Sequence, residues 1–154
     1  MQKINFILLL LISCSAWASQ YESLKYAKVN MRTGPSEKYP IRWVYQEKNY
    51  PVEFLDSFEL WHYVRDKDGE IGWIHQNQLS KSRYVLISKE DYLLKKIDQK
   101  KMVATLQPGV IAHLERCPKE GRYCRISVQS GEEKYTGWFL RSNLWGIDSE
   151  ETVE

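Results

Sequence analysis

Gly72-Trp73-Ile74 and Gly137-Trp138-Phe139 stand 65 positions apart, and the same shift carries Leu79 onto Leu144. Three coincidences in one register mark an internal duplication. In a chain of 154 residues, a repeat of this length sets two small units and excludes a large multidomain enzyme. Past the amino-terminal segment, alternation replaces helical periodicity in most stretches, and β-branched and aromatic residues cluster between turn signals. The class is therefore mainly β.

Tyr26 to Arg32 alternates and stops at Thr33-Gly34-Pro35-Ser36, where Gly and Pro favour a turn. Ile41 to Gln46 and Val52 to Leu55 are the next apolar runs. Trp61-His62-Tyr63-Val64 then turns through Asp68-Gly69 into Ile71-Gly72-Trp73-Ile74, and Asp-Gly between alternating runs is a strong hairpin signal. The second half repeats the order from Val110-Ile111-Ala112-His113-Leu114 through Tyr123-Cys124-Arg125-Ile126 to Tyr135-Thr136-Gly137-Trp138-Phe139. Tyr84-Val85-Leu86-Ile87 is too apolar for a flexible linker and reads as the first strand of that half. The expectation is an all-β chain of two tandem small β barrels, at residues 19–80 and 81–148, with an acidic, frayed tail at 149–154. Units of this size bury only about 60% of their unfolded surface, so dense ring packing and a cross-link are expected reinforcements.

Met1-Gln2-Lys3, the apolar run Ile4 to Ile12 and the small-x-small site Ala16-Trp17-Ala18 form a secretory signal peptide, residues 1–18, cleaved after Ala18. A membrane anchor needs about 18 or more apolar residues, and no segment downstream offers them, so no transmembrane segment is expected. Leu11-Ile12-Ser13-Cys14 resembles the lipobox of bacterial lipoproteins. The short run before Cys14 and the spacing of Ala16 and Ala18 favour the general signal peptidase, which places the protein in the periplasm or outside the cell.

Export leaves Cys117 and Cys124 as an even pair in an oxidising compartment, where a disulfide is the expected use. The six residues between them include Pro118 and Gly121, and they fit neither zinc-knuckle nor C-x-x-C redox spacing. Lys plus Arg number 22 against 20 Asp plus Glu, a balance that disfavours nucleic acid as a partner.

Val29-Asn30-Met31-Arg32-Thr33-Gly34-Pro35-Ser36 resembles the opening signature of the bacterial SH3-like domains of exported proteins, which runs apolar, Asn, x, Arg, small, Gly, Pro, Ser. Trp61-His62-Tyr63-Val64-Arg65, Gly72-Trp73-Ile74 and Leu79 are similar to its closing hairpin. The second half departs at its start, since Leu93-Leu94-Lys95-Lys96-Ile97 lacks both the Asn and the Gly-Pro turn. Its end, from His113-Leu114-Glu115-Arg116-Cys117 to Leu144-Trp145-Gly146, is similar to one exported subgroup. The resemblance implies SH3-like barrels used for binding or targeting, often to cell-wall material or wall-associated proteins. In that family the barrel is frequently attached to a hydrolase, for which two barrels leave no room here.

No catalytic set is expected. His62, His75 and His113 have no H-x-x-x-H or H-E-x-x-H spacing, no Gly-rich phosphate loop exists, and Glu132-Glu133 reads as a solvated loop. No cofactor and no metal are therefore expected. Binding has better candidates, because 6 Trp and 10 Tyr in so short a chain must fill cores or line a surface. Trp61 and Tyr63 alternate onto one side of a strand, and with Trp73 and Trp43 they would form an aromatic shelf for sugar faces or apolar peptide groups. Arg32 is the best anchor for an acidic ligand, although it and Asn30 also fit a structural bracket, with Arg32 on Asp56 or Glu53. Lys95, Lys96, Lys100 and Lys101 read as a solubilising patch in a degenerate turn. The sequence thus points to a non-catalytic module of the cell envelope that recognises peptidoglycan or a wall-associated protein. The alternative is a periplasmic adaptor that binds a peptide or partner subunit.

Overall fold

The computed structural model describes residues 20–154; the expected leader at residues 1–18, with its cleavage site and Cys14, lies outside the described residues. Two seven-stranded sheets follow one another along the chain. The first holds β1 (Gln20–Leu24), β2 (Val29–Arg32), β3 (Ile41–Tyr45), β4 (Pro51–Phe58), β5 (Trp61–Arg65), β6 (Ile71–His75) and β7 (Leu79–Ser80), in the order β3-β2-β6-β5-β4-β1-β7. The second holds β8 (Tyr84–Ile87), β9 (Asp91–Lys96), β10 (Lys101–Leu106), β11 (Ile111–Arg116), β12 (Tyr123–Ser130), β13 (Glu133–Leu140) and β14 (Leu144–Trp145), in the order β10-β9-β13-β12-β11-β8-β14. Laying β1 to β7 on β8 to β14 reproduces the order position for position. A single 3-10 turn, Gln76–Gln78 or Arg141–Asn143, precedes the last strand of each. The protein is thus all-β, as two tandem β domains.

Each domain closes on its own core, in which the inward residues of the alternating strands meet. Leu24, Met31, Val52, Val64 and Ile74 fill the first, and Val85, Leu93, Ile126 and Phe139 the second. In β6 Gly72 and Ile74 are buried while Ile71, Trp73 and His75 lie outward at intermediate exposure. That alternation is what turns the ring of Trp73 away from the core.

The hairpin between β5 and β6 turns where Asp68-Gly69 predicted it. Gly69 has φ of +88°, a region that glycine enters without a Cβ penalty. Asp66 fixes the turn from below. Its Oδ1 accepts from the amides of Asp68 and Glu70 at 3.0 and 2.9 Å, and its Oδ2 accepts from the Tyr45 hydroxyl at 2.9 Å. Burial first, and the Asp66 charge second, push the Tyr45 hydroxyl far above its ordinary pKa.

In its strands and tail the structure differs from the sequence reading in three places. Gln20–Leu24 is a strand, paired with β4 and β7, ahead of the first strand read from the pattern. Lys95 and Lys96 belong to β9 and Lys101 to β10, so only Lys100 of that group stands in the turn. The acidic tail is docked rather than frayed: the Cys117 amide donates to the Val153 carbonyl at 2.7 Å, and the Val153 amide returns the bond at 3.0 Å.

Candidate functional site

Strand register assembles the outward side chains of the first sheet into a cross-strand row: Ile41, Arg32, Trp73, Tyr63 and Asp56. In antiparallel pairs, residues directly opposite share a face, so these five side chains are neighbours on one surface. Tyr63 and Trp73 meet with ring centroids 4.9 Å apart and planes tilted by 36°, and both are part-exposed. Arg32 lies directly across from Trp73. One of its terminal nitrogens donates to the Tyr39 carbonyl at 2.9 Å, which leaves most of the five N–H donors of a guanidinium uncommitted. Neither Asp56 nor Glu53 holds Arg32; Glu53 is taken by Arg65, whose Nε and Nη2 donate to it at 2.9 and 2.7 Å.

The loop at residues 33–40 is shaped around that contact. The Thr33 amide donates to the Pro40 carbonyl at 3.0 Å and the Ser36 amide to the Gly34 carbonyl at 2.9 Å. A Cβ on Gly34 would stand 2.5 Å from the Tyr39 ring, so glycine is required there for Tyr39 to fold over and present its carbonyl to Arg32. The Gly-Pro-Ser stretch of the sequence thus sets the position of the guanidinium.

The remaining candidates are placed differently. Trp61 shares the face of Tyr63 but is only 8% exposed, held edge-on against His75 at 5.1 Å. Trp43 is 50% exposed, yet it pairs with Met31, a core residue, and so belongs to the opposite row from Arg32 at the open edge of β3. Asn30 lies on the Arg32 side of β2, with a buried Oδ1 that has no hydrogen-bond partner among the described residues. The structure therefore brings together Arg32, Tyr63 and Trp73, with Trp61 two positions along β5 and packed on His75, and sets Trp43 apart. Ile41, 47% exposed, completes the row. Sequence reasoning passed over it, because only the strand register shows which residue of Ile41-Arg42-Trp43 faces Arg32.

His62 takes the other face of β5, where its Nδ1 lies 2.7 Å from Glu22 Oε2 and its ring edge meets Phe54 at 5.1 Å. With Tyr21, Lys81 and Arg83 this pair lines a cleft of about 240 Å³ between the two domains. His113 packs edge-on against Tyr84 at 5.0 Å. Among the described residues no group of three or more His, Cys, Asp and Glu side chains could hold a metal ion. Cys117 and Cys124 form a disulfide across the β11–β12 hairpin, with Cα atoms 4.3 Å apart.

The second sheet builds the corresponding row from different residues. Met102, Leu94, Trp138 and Arg125 stand where Ile41, Arg32, Trp73 and Tyr63 stand in the first. The tryptophan is kept, the arginine position is apolar, and the tyrosine position is cationic. A model of the bacterial SH3 domain family matches residues 25–81, which span β2 to β7 and the whole Arg32–Trp73–Tyr63 row. No curated protein matches the chain.

Proposed function

We propose, from the bacterial SH3-like domain carried at residues 25–81, that this protein is an exported, non-catalytic binding module of the cell envelope. Its ligand is peptidoglycan, read by the first domain through the face of Arg32, Tyr63 and Trp73. The observation that carries the reading is the pairing of two part-exposed rings with an arginine directly across the strand from one of them. Rings of this kind stack on sugar faces or on the apolar parts of a peptide. The guanidinium fork grips a carboxylate. Peptidoglycan presents sugar faces and peptide carboxylates in one polymer, so both halves of the face find a counterpart. The Cys117–Cys124 bridge supports export, because disulfides persist in oxidising compartments.

The test is co-sedimentation of the protein with purified sacculi. The wild type is expected to pellet, and Tyr63→Ala and Arg32→Gln are each expected to weaken binding about tenfold, the scale of a central aromatic or arginine anchor. Trp61→Ala is a poor probe, since so buried a ring reports on folding first. A wild-type protein that stays in the supernatant sinks the wall-binding reading.

A further inference from the structure

The outer face of the second sheet carries a groove of about 450 Å³ lined by Asp91, Tyr92, Leu94, Lys100, Met102 and Tyr123. Its register is that of β9 and β10, with bulges on either side of Met102. Thr105 faces Tyr92, Met102 faces Leu94, and Lys101 faces Lys96 across β9 and β10, while Leu94 faces Trp138 and Tyr123 faces Leu140 on the inner strands. Along the groove the surface therefore runs from aromatic and aliphatic to basic.

Two features of this surface are unfavourable for a bare protein. Tyr92 and Met102 are 56% and 57% exposed, side by side over Leu94. Lys96 and Lys101 stand directly opposite each other on neighbouring strands, where like charges destabilise a sheet. No acidic side chain among the described residues is bonded to either lysine, nor to Lys100. Asp91, the acid that lines the groove, is occupied, with Oδ2 accepting from Asn143 Nδ2 at 2.9 Å and Oδ1 from the Tyr92 amide at 2.8 Å. Arg125 is held by Glu115 at 3.2 Å. The cation excess lies on the β9–β10 hairpin, where Lys95, Lys96, Lys100 and Lys101 face Asp98 alone in the same stretch.

We propose that this groove is a second binding site, whose ligand is an extended acidic peptide. An apolar side chain of the peptide seats between Tyr92, Met102 and Tyr123, and a carboxylate lies over the Lys96–Lys101 pair. Charge complementarity selects the peptide over other occupants. A neutral glycan would leave the paired lysines uncompensated, and a bare polyanion would leave Tyr92 and Met102 in water. The flexible thioether of Met102 adapts to more than one apolar partner. The site goes beyond wall recognition by the first domain, because Leu94 and Arg125 replace the arginine and tyrosine that define that face.

The test is fluorescence anisotropy with the labelled peptide Glu-Glu-Leu-Phe-Glu-Glu, compared with Lys-Lys-Leu-Phe-Lys-Lys and Glu-Glu-Ser-Ser-Glu-Glu. The first peptide is expected to bind at least about tenfold more tightly than either comparator. Lys101→Glu and the double variant Tyr92→Ser/Met102→Ser, both on exposed side chains and checked for unchanged near-UV circular dichroism, are each expected to weaken it about tenfold. Lys28→Glu, an exposed charge reversal in the first domain, is expected to leave it unchanged. Equal binding of the lysine peptide, or of the serine peptide, overturns the proposal, as does undiminished binding by the double variant. A wild-type dimer on gel filtration that Tyr92→Ser/Met102→Ser converts to monomer also overturns it, by making a second copy of the chain the occupant.

Discussion

Gly72 and Gly137, the residues that opened the repeat to view, have one steric explanation. A Cβ on Gly72 would stand 2.6 Å from Met31 Cγ and 2.7 Å from the Arg32 carbonyl oxygen; one on Gly137 would stand 2.6 Å from the Leu94 carbonyl and 2.9 Å from Leu93 Cγ. Backbone oxygens cannot swing aside as a flexible side chain can. The absence of a Cβ is what lets β6 cross against β2 and sets Trp73 opposite Arg32, and the same holds for β13, β9 and Trp138. Gly72→Ala and Gly137→Ala are each expected to cost about 1–3 kcal/mol, the usual penalty of overpacking a tight interior site. Urea unfolding measures it, and midpoints equal to the wild type would show that the crossing relaxes freely. The Gly-Trp pairs were readable in the sequence because this constraint acts on the residue itself. The burial of Trp61 was not, since alternation gives the side a ring takes but not how much the neighbouring strand covers it. Arg32 donates to the Tyr39 carbonyl rather than to Asp56 or Glu53, and no sequence pattern marks a backbone acceptor brought round by a turn.

At the scale of elements, strands flagged by turn chemistry were legible and strands defined by their partners were not. Tyr84–Ile87 and the hairpin at Asp68-Gly69 stand where the pattern put them. Gln20–Leu24 was missed because Glu22 and Ser23, two polar residues, are buried there by tertiary contacts: Glu22 on His62, and the Ser23 hydroxyl donating to the Ser82 carbonyl at 2.8 Å. The turn between β9 and β10 was drawn too wide because it has neither Gly nor Pro to mark its ends; Lys100 takes the left-handed conformation itself, at φ of +47°. The β11–β12 hairpin is the element whose reading went furthest, since an even cysteine pair flanking Pro118 and Gly121 in an exported chain indicated its cross-link. Denatured, unreduced protein without residues 1–18, and so without Cys14, is expected to show no thiol reactive toward a colorimetric reagent, and two thiols per chain would refute the bridge. In the loop-entropy picture, closing a loop of this length stabilises by about 2.5 kcal/mol. Reduction should therefore lower the urea midpoint, which the two coupled domains share. Cys117 also holds Val153 of the tail by two backbone bonds, so loss of the bridge should free the tail to proteolysis as well.

At the scale of the molecule, the two domains are joined by a mixed aromatic and ionic knot rather than by a linker. Tyr21 of the first sheet meets the edge of Trp145 at 5.4 Å, and the Arg83 guanidinium lies 5.8 Å from the centre of the Tyr21 ring. The same guanidinium donates to the Gly146 carbonyl at 2.8 Å and forks onto both oxygens of Glu151. One side chain thus ties β1, the segment after β14 and the tail. Asp148, beside it, has its carboxyl raised above the usual range, by desolvation first and then by the charges of Glu151 and of Glu53 from the first domain, while Arg83 and Arg141 pull it back. Removing Arg83 would leave these carboxylates facing one another with one cation fewer. Charge-assisted hydrogen bonds contribute about 1.5–3 kcal/mol each, enough to couple two small domains that are individually marginal. The wild type is therefore expected to unfold in a single calorimetric transition, and Arg83→Ala in two, the earlier one lowered by several degrees. A single transition in the variant would mean that contacts other than Arg83, such as Tyr21–Trp145 and Ser23–Ser82, carry the coupling. The outcome bears on function, because two faces held at a fixed separation bind a ligand that spans both with an effective concentration set by that geometry. Arg83→Ala should then weaken a bridging ligand while leaving each face its own affinity.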